Sequence, residues 1–198
     1  MSKPQIKKEQ TEKLVLAAIF TALVIVLQLL GSFIRFGMFS ISLVLVPIIL
    51  GAAICGWKTG AWLGFVFSAA VILSGDALAF FAISVPGTII TVVAKGTLCG
   101  AAAGLCYRFF EKKSVFLSAA ISAVVAPIVN TGIFLIGCST FFLTEISKWG
   151  ASLGYKNTAA YMFLGLAGGN FIFELVTNII LVPVIIKVLS LIKKQHNQ

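Results

Sequence analysis

The chain is 198 residues long, 60% hydrophobic and only 11% charged, against roughly 25% charged residues in an ordinary soluble domain, so an aqueous globular fold is excluded. Its net charge of +9 does not indicate nucleic acid, because the basic residues sit at the ends of apolar runs rather than along an aromatic-studded groove. A helical crossing needs about 20 apolar residues, so the length fits one compact membrane bundle with almost no domain outside it.

Charges and turn residues cut the chain into six apolar segments, at about 14–33, 39–56, 58–75, 84–108, 114–143 and 160–192. The expected fold is therefore all-α integral membrane, a compact six-transmembrane-helix bundle. Residues 1–13 form a cytoplasmic N-terminal segment, 14–192 the membrane domain and 193–198 a cytoplasmic tail. The first apolar run, in "KLVLAAIFTALVIVLQLL", is too long for a signal-peptide core and no small-residue cleavage site follows it, so it reads as a first span. The second and third segments are the shortest, and the break "GWKTG" between them predicts a helical hairpin. The stretches "SGDALAFFAISVPG" and "TEISKWGASLGYKN" are expected to be loops that cover something. With the N-terminus inside, Lys3, Lys7, Lys8, Lys13, Lys58, Arg108, Lys112, Lys113, Lys187, Lys193 and Lys194 fall on the cytoplasmic side. Only Arg35, Lys148 and Lys156 fall outside, so the N- and C-termini are both expected to be cytoplasmic.

Small residues recur every four positions: Ala18 and Ala22; Gly60, Gly64 and Ser68; Gly96, Gly100 and Gly104; Gly165 and Gly169. Such rows let helix backbones approach closely in lipid, where packing rather than water drives association. The glycine row of the fourth span follows directly on Lys95, which is thereby expected to look into the bundle or along a seam.

Lys95 is the sharpest signal. A charge at bilayer depth costs at least about 2.5–3.5 kcal/mol on insertion scales, and is retained for a partner, a ligand or a conduction path. Counting about 1.5 Å per residue along each span places Lys95 near mid-membrane, Asn130 in the outer half, and Asn170 and Glu174 about 15 to 21 Å below the outer surface. Asn170, Glu174 and Asn178 fall on one face of the last span. Pro127, just before Asn130, removes a helix hydrogen bond and can open the backbone beside a cavity. Two structural readings stand beside a functional one. Lys95 and Glu174 pair to fix helix register, the asparagines bond between helices, or a small polar ligand from outside is held among them. Arg35 and Asp76 are candidates for the mouth of such a site, and Phe80, Phe81 and Trp149 for its cover, although an interfacial belt explains these residues as well.

Several chemistries are missing from the sequence. "GAAICGWK" has tryptophan where a phosphate-cradling loop needs lysine, so the chain carries no ATPase motif of that kind. It has no H-E-x-x-H helix and no G-x-S-x-G elbow, and its one histidine, His196, lies in the polar tail. Cys55, Cys99, Cys106 and Cys138 all lie in apolar segments without disulfide or zinc spacing. No catalytic residue, metal or cofactor is therefore expected.

The segments "AAIFTALVI", "ISLVLVPIILGAAICGWKTGAWLGFVF", "KGTLCGAAAGLCYR", "NTGIFL" and "GNFIFELVTNIILVPVIIK" resemble, in this order, the substrate-binding S-component of an energy-coupling factor (ECF) vitamin transporter. The likeness covers nearly all of residues 13–194 and is greatest for the pantothenate-type group, which overlaps the riboflavin and folate types. It implies capture of a small water-soluble vitamin, pantothenate foremost and riboflavin as the alternative, at the plasma membrane of a prokaryote. It also implies docking through Ala18 and Ala22 onto a transmembrane coupling subunit driven by two ATPase subunits. The substrate-binding candidates are then Lys95, Asn130, Asn170, Glu174, Asn178 and Arg35. A self-sufficient secondary transporter using Lys95 and Glu174, or a structural subunit, are the competing expectations.

Overall fold

The computed structural model of the chain describes the backbone of residues 3–33, 35–36, 39–40 and 43–196, and the side chains of 10–32 and 43–191. Helix α1 runs Lys3–Phe33, and a two-residue antiparallel ladder, β1 (Arg35–Phe36) on β2 (Phe39–Ser40), follows it. Then come α2 (Leu45–Cys55), α3 (Trp57–Leu73), the single turn α4 (Leu78–Phe81), α5 (Val85–Phe110) and α6 (Val115–Phe141). The chain ends with α7 (Leu143–Ser152), the turn α8 (Thr158–Ala160), a π-helical stretch (Tyr161–Leu166), α9 (Gly168–Ile180) and α10 (Val182–His196).

The starts and stops follow local chemistry. Ser84 is extended and its hydroxyl accepts the Gly87 amide at 3.2 Å, capping α5, which has Pro86 in its first turn. Ser114 caps α6 in the same way through Leu117. The expected α2–α3 hairpin turns at Gly56, whose φ of 97° is open to glycine and costly for most other residues.

Helix α5 lies at the centre, between α3 and α6. On its α3 side the glycine rows interlock. A Cβ on Gly64 or Gly60 would collide with the carbonyl of Gly96 or Gly100, and the reverse is equally true. Ser68 ties the same seam by donating to the carbonyls of Gly64 at 3.0 Å and Val92 at 2.7 Å. On the α6 side Ser122 donates to the Ala103 carbonyl at 3.0 Å, and Gly137 packs against Thr91 with no room for a Cβ. These contacts fix the rotation of α5 about its own axis, and with it the direction of Lys95.

One apolar core, including Val24, Ile48, Leu63, Phe67, Cys99 and Ala123, runs between α1, α2, α3, α5 and α6 and reaches α10 at Ile185. A second, around Phe142, Ile146, Tyr161, Met162 and Leu166, joins α7 to the π-helical stretch. Large apolar residues such as Leu14, Ile19, Leu98, Ile136, Phe163 and Ile180 face outward, as a bilayer requires.

Four helical stretches are long and apolar enough to cross a membrane: Gln10–Ser32, Val85–Phe110, Val115–Phe141 and Thr158–Ile180. The apolar helices Leu45–Cys55, Trp57–Leu73 and Val182–Leu191 are shorter. Three features differ from the sequence expectation. The second segment becomes helical only at Leu45. The stretch expected as a loop after α6 contains the helix α7. The last segment, 160–192, is not one regular helix. It begins with a π-helical stretch, in which the Ala167 amide reaches back five residues to Met162 at 3.0 Å, and it breaks at Leu181. There Pro183 has no amide hydrogen to continue the ladder.

Candidate functional site

Three rows of residues at four-residue spacing meet inside the bundle. Helix α5 contributes Thr91, Lys95 and Cys99; α6 contributes Asn130, Phe134 and Cys138; α9 contributes Asn170, Glu174 and Asn178. This spacing keeps each row on one helix face. The outer face of α9 carries Ile172, Phe173, Val176, Ile179 and Ile180, all exposed, so its polar row is the inward one.

The Lys95 ammonium lies 5.7 Å from the Phe67 ring centroid and 5.5 Å from that of Phe134. Ring faces attract a cation through their quadrupole, but they do not neutralise it. The ionisable side chains within electrostatic range are Glu174, Cys99, Cys138 and Asp76. Among the described residues none is hydrogen-bonded or ion-paired with Lys95.

Glu174, 1% exposed, is occupied elsewhere. Its Oε2 accepts from Asn130 Nδ2 at 3.2 Å and its Oε1 from Asn170 Nδ2 at 3.1 Å. Both carboxyl oxygens act as acceptors here, and the two amide nitrogens are turned toward them. That orientation leaves Asn130 Oδ1 buried without a partner, and Thr91 Oγ1 is buried and unpartnered as well. Asn178 is 2% exposed, one turn along α9 from Glu174. The interior cluster therefore holds a cation and two unpartnered oxygens, that of Thr91 packed against Gly137, beside a carboxylate held by two amides.

A prediction follows from this donor count. Glu174→Leu strands two buried amide donors, each costing about 1–3 kcal/mol, and should lower the thermal unfolding midpoint strongly. Glu174→Gln should be far milder, because the Asn130 amide can flip so that its free Oδ1 accepts from the new side-chain nitrogen. Equal midpoints for the two variants in a detergent melt would contradict the network.

Aromatic rings lead away from Lys95. Phe134 meets Phe80 edge-on at 5.5 Å, and Phe80 packs on Phe142 at 5.2 Å and Trp149 at 5.9 Å. Phe80 belongs to the connection between α3 and α5, and Trp149 to α7. Two of the three expected cover residues, Phe80 and Trp149, are thus in one ring cluster that reaches the lysine through Phe134. Phe81 is not; it packs against the main core.

The structure brings Lys95, Asn130, Asn170, Glu174 and Asn178 to one interior region. The backbone of Arg35 is in β1, opposite Ser40, while its side chain lies outside the described residues. Ala18 and Ala22 are exposed on α1, on the face turned away from its buried residues Phe20, Val24 and Gln28. Sequence reasoning passed over Gln28, Phe67, Phe134 and Thr91. Gln28 carried a signal, a lone amide in a long apolar run. The two phenylalanines, among 17 in the chain, carried none.

Apolar helices that face lipid around an interior polar cluster define a multi-pass membrane protein with a buried polar site. Residues 12–186 match the family described as "ECF transporter, substrate-specific component", and the chain belongs to that family. It is accordingly the substrate-specific subunit of an ECF transporter, a transport subunit rather than an enzyme. No match is found among curated proteins or among solved structures.

Proposed function

We propose that this chain captures a small water-soluble vitamin bearing a carboxylate, pantothenate foremost, from the outer side of a prokaryotic plasma membrane. In this reading the bundle crosses the membrane six times with both termini in the cytoplasm. It hands its cargo on by docking, through Ala18 and Ala22, to a transmembrane coupling subunit powered by two ATPase subunits. The single observation that carries the ligand class is the Lys95 ammonium, which faces two aromatic rings and has no hydrogen-bonded anion among the described residues. A carboxylate completes it through a charge-assisted hydrogen bond. The hydroxyl and amide hydrogens of pantothenate match the free acceptors Asn130 Oδ1 and Thr91 Oγ1. Asn170, Glu174 and Asn178 line the opposite wall, and Arg35 is assigned to the mouth.

The rings support one alternative vitamin. Phe67 and Phe134 lie close to the lysine, Phe80 and Trp149 continue the ring cluster from Phe134, and together they offer a stacking surface of the kind riboflavin calls for.

A thermal-shift screen of the detergent-solubilised protein against water-soluble vitamins tests both. Stabilisation by pantothenate without ATP is the expected result, and stabilisation by riboflavin alone selects the alternative. Uptake in cells should require co-expressed ECF subunits. Robust uptake by this chain alone would replace the proposal with a self-sufficient secondary transporter.

A further inference from the structure

Gln28 is an amide buried on the packed side of α1, 3% exposed and in register with Phe20 and Val24. Its Nε2 donates to Asp76 Oδ2 at 2.8 Å. This bond crosses from α1 to the connection between α3 and α5, and the connection is itself hydrogen-bonded turn upon turn. Ser74 Oγ donates to the Val71 carbonyl at 3.1 Å, and Gly75 turns the chain at a φ of 81°. The Leu78 amide then reaches the Gly75 carbonyl at 3.1 Å and the Phe80 amide the Ala77 carbonyl at 3.0 Å. Ala77, 3% exposed, anchors the middle in the core. Whatever holds Asp76 therefore also places Phe80, one helical turn further on. The Phe80 ring rests on Phe134, whose own ring lies 5.5 Å from the Lys95 ammonium. Its other side meets Trp149 of α7 at 5.9 Å.

We propose that Gln28 and Asp76 are positioning residues, whose hydrogen bond clamps the α3–α5 connection onto α1 and thereby holds the Phe80 ring across Phe134 and Trp149 beside Lys95. The clamp ties the helix that exposes Ala18 and Ala22 to the aromatic wall of the interior site, so a displacement of α1 is transmitted to the rings that retain the solute. The solute part rests on the capture reading above; the mechanical part does not.

The test uses the full-length protein in lipid nanodiscs with two readouts: amide hydrogen exchange over residues 74–84, and the dissociation rate of the vitamin found in the screen. Gln28→Leu should raise both by about ten-fold to a hundred-fold, the size expected for a lost hydrogen bond to a charged group. Gln28→Glu, which sets a second carboxylate against Asp76, should raise both further. Asp76→Asn keeps an oxygen acceptor for Gln28 and should raise the exchange less than Gln28→Leu does. Phe80→Ala should speed dissociation as much as Gln28→Leu, and the double variant should add nothing, because the two act through one ring. Unchanged exchange in both Gln28 variants overturns the clamp, and faster exchange with an unchanged dissociation rate overturns its role in retaining the solute. A larger change in exchange for Asp76→Asn than for Gln28→Leu assigns Asp76 a charge role instead and also overturns it. If Gln28→Leu fails to fold, Phe80→Ala decides, and normal retention in that variant refutes the proposal. If the wild-type protein binds no vitamin, the capture reading falls, while the exchange experiment still decides the clamp.

Discussion

Lys95→Met is expected to weaken binding of an acidic vitamin by roughly 30-fold to several thousand-fold, because removing one partner of a buried, hydrogen-bonded charge pair costs about 2–5 kcal/mol. The folded state without ligand should survive the change. Methionine is close to lysine in length, and the ammonium makes no hydrogen bond or ion pair among the described residues, so no protein partner is stranded. Glu174 retains its two amide donors from Asn130 and Asn170. Removing an uncompensated charge from an apolar interior relieves a desolvation cost, which offsets the lost attraction between the lysine and Glu174. The variant should therefore melt within a few degrees of the wild type, yet gain no stabilisation from the vitamin. Isothermal titration on the purified subunit measures the affinity. Unchanged binding would assign Lys95 a purely structural role, and a collapse of the ligand-free fold would show that Lys95 and Glu174 act as a register pin.

The legibility of this chain divides along a physical line. Features governed by local spacing were readable. The glycine rows of α3 and α5 interlock as their four-residue period implies, and Asn170, Glu174 and Asn178 share the inward face of α9 as theirs requires. Gly56 marked the hairpin, and the cost of a charge in an apolar run marked Lys95. Features that depend on which helices become neighbours were not readable. Glu174 is bonded to Asn130 across 44 positions and to Asn170 across four, and only the second spacing could be written down in advance. The π-helical stretch at Tyr161–Leu166 was hidden for a different reason. An extra residue per turn is a response to packing, here to the Tyr161 ring seated against Gly150 and Gly165, and leaves no periodic trace in so short a segment. The break at Leu181 had a signal in Pro183, which an apolar-run count overlooks.

Ala18→Leu with Ala22→Leu should abolish ECF-dependent uptake while leaving vitamin affinity unchanged. Of the four long apolar helices, α1 is the least enclosed, with 17% of its most apolar window buried against 39% for α5. Its inward side is committed to Phe20, Val24 and Gln28, whereas Ala18 and Ala22 are open on the other side among Leu14, Val15 and Ile19. Two alanines one turn apart allow a partner helix to approach closely, and dispersion contacts supply the association energy that water cannot supply in lipid. Leucine at both positions adds branched side chains where the backbones would meet, so the approach is lost even though the face becomes more apolar. The Lys95 site is built on α3, α5, α6 and α9, which places it outside the altered surface. Radiolabelled uptake in cells expressing the ECF subunits, measured beside vitamin binding by the purified double variant, separates the two effects. Full uptake by the variant would remove α1 as the docking face, and a parallel loss of binding would mean that α1 supports the site directly.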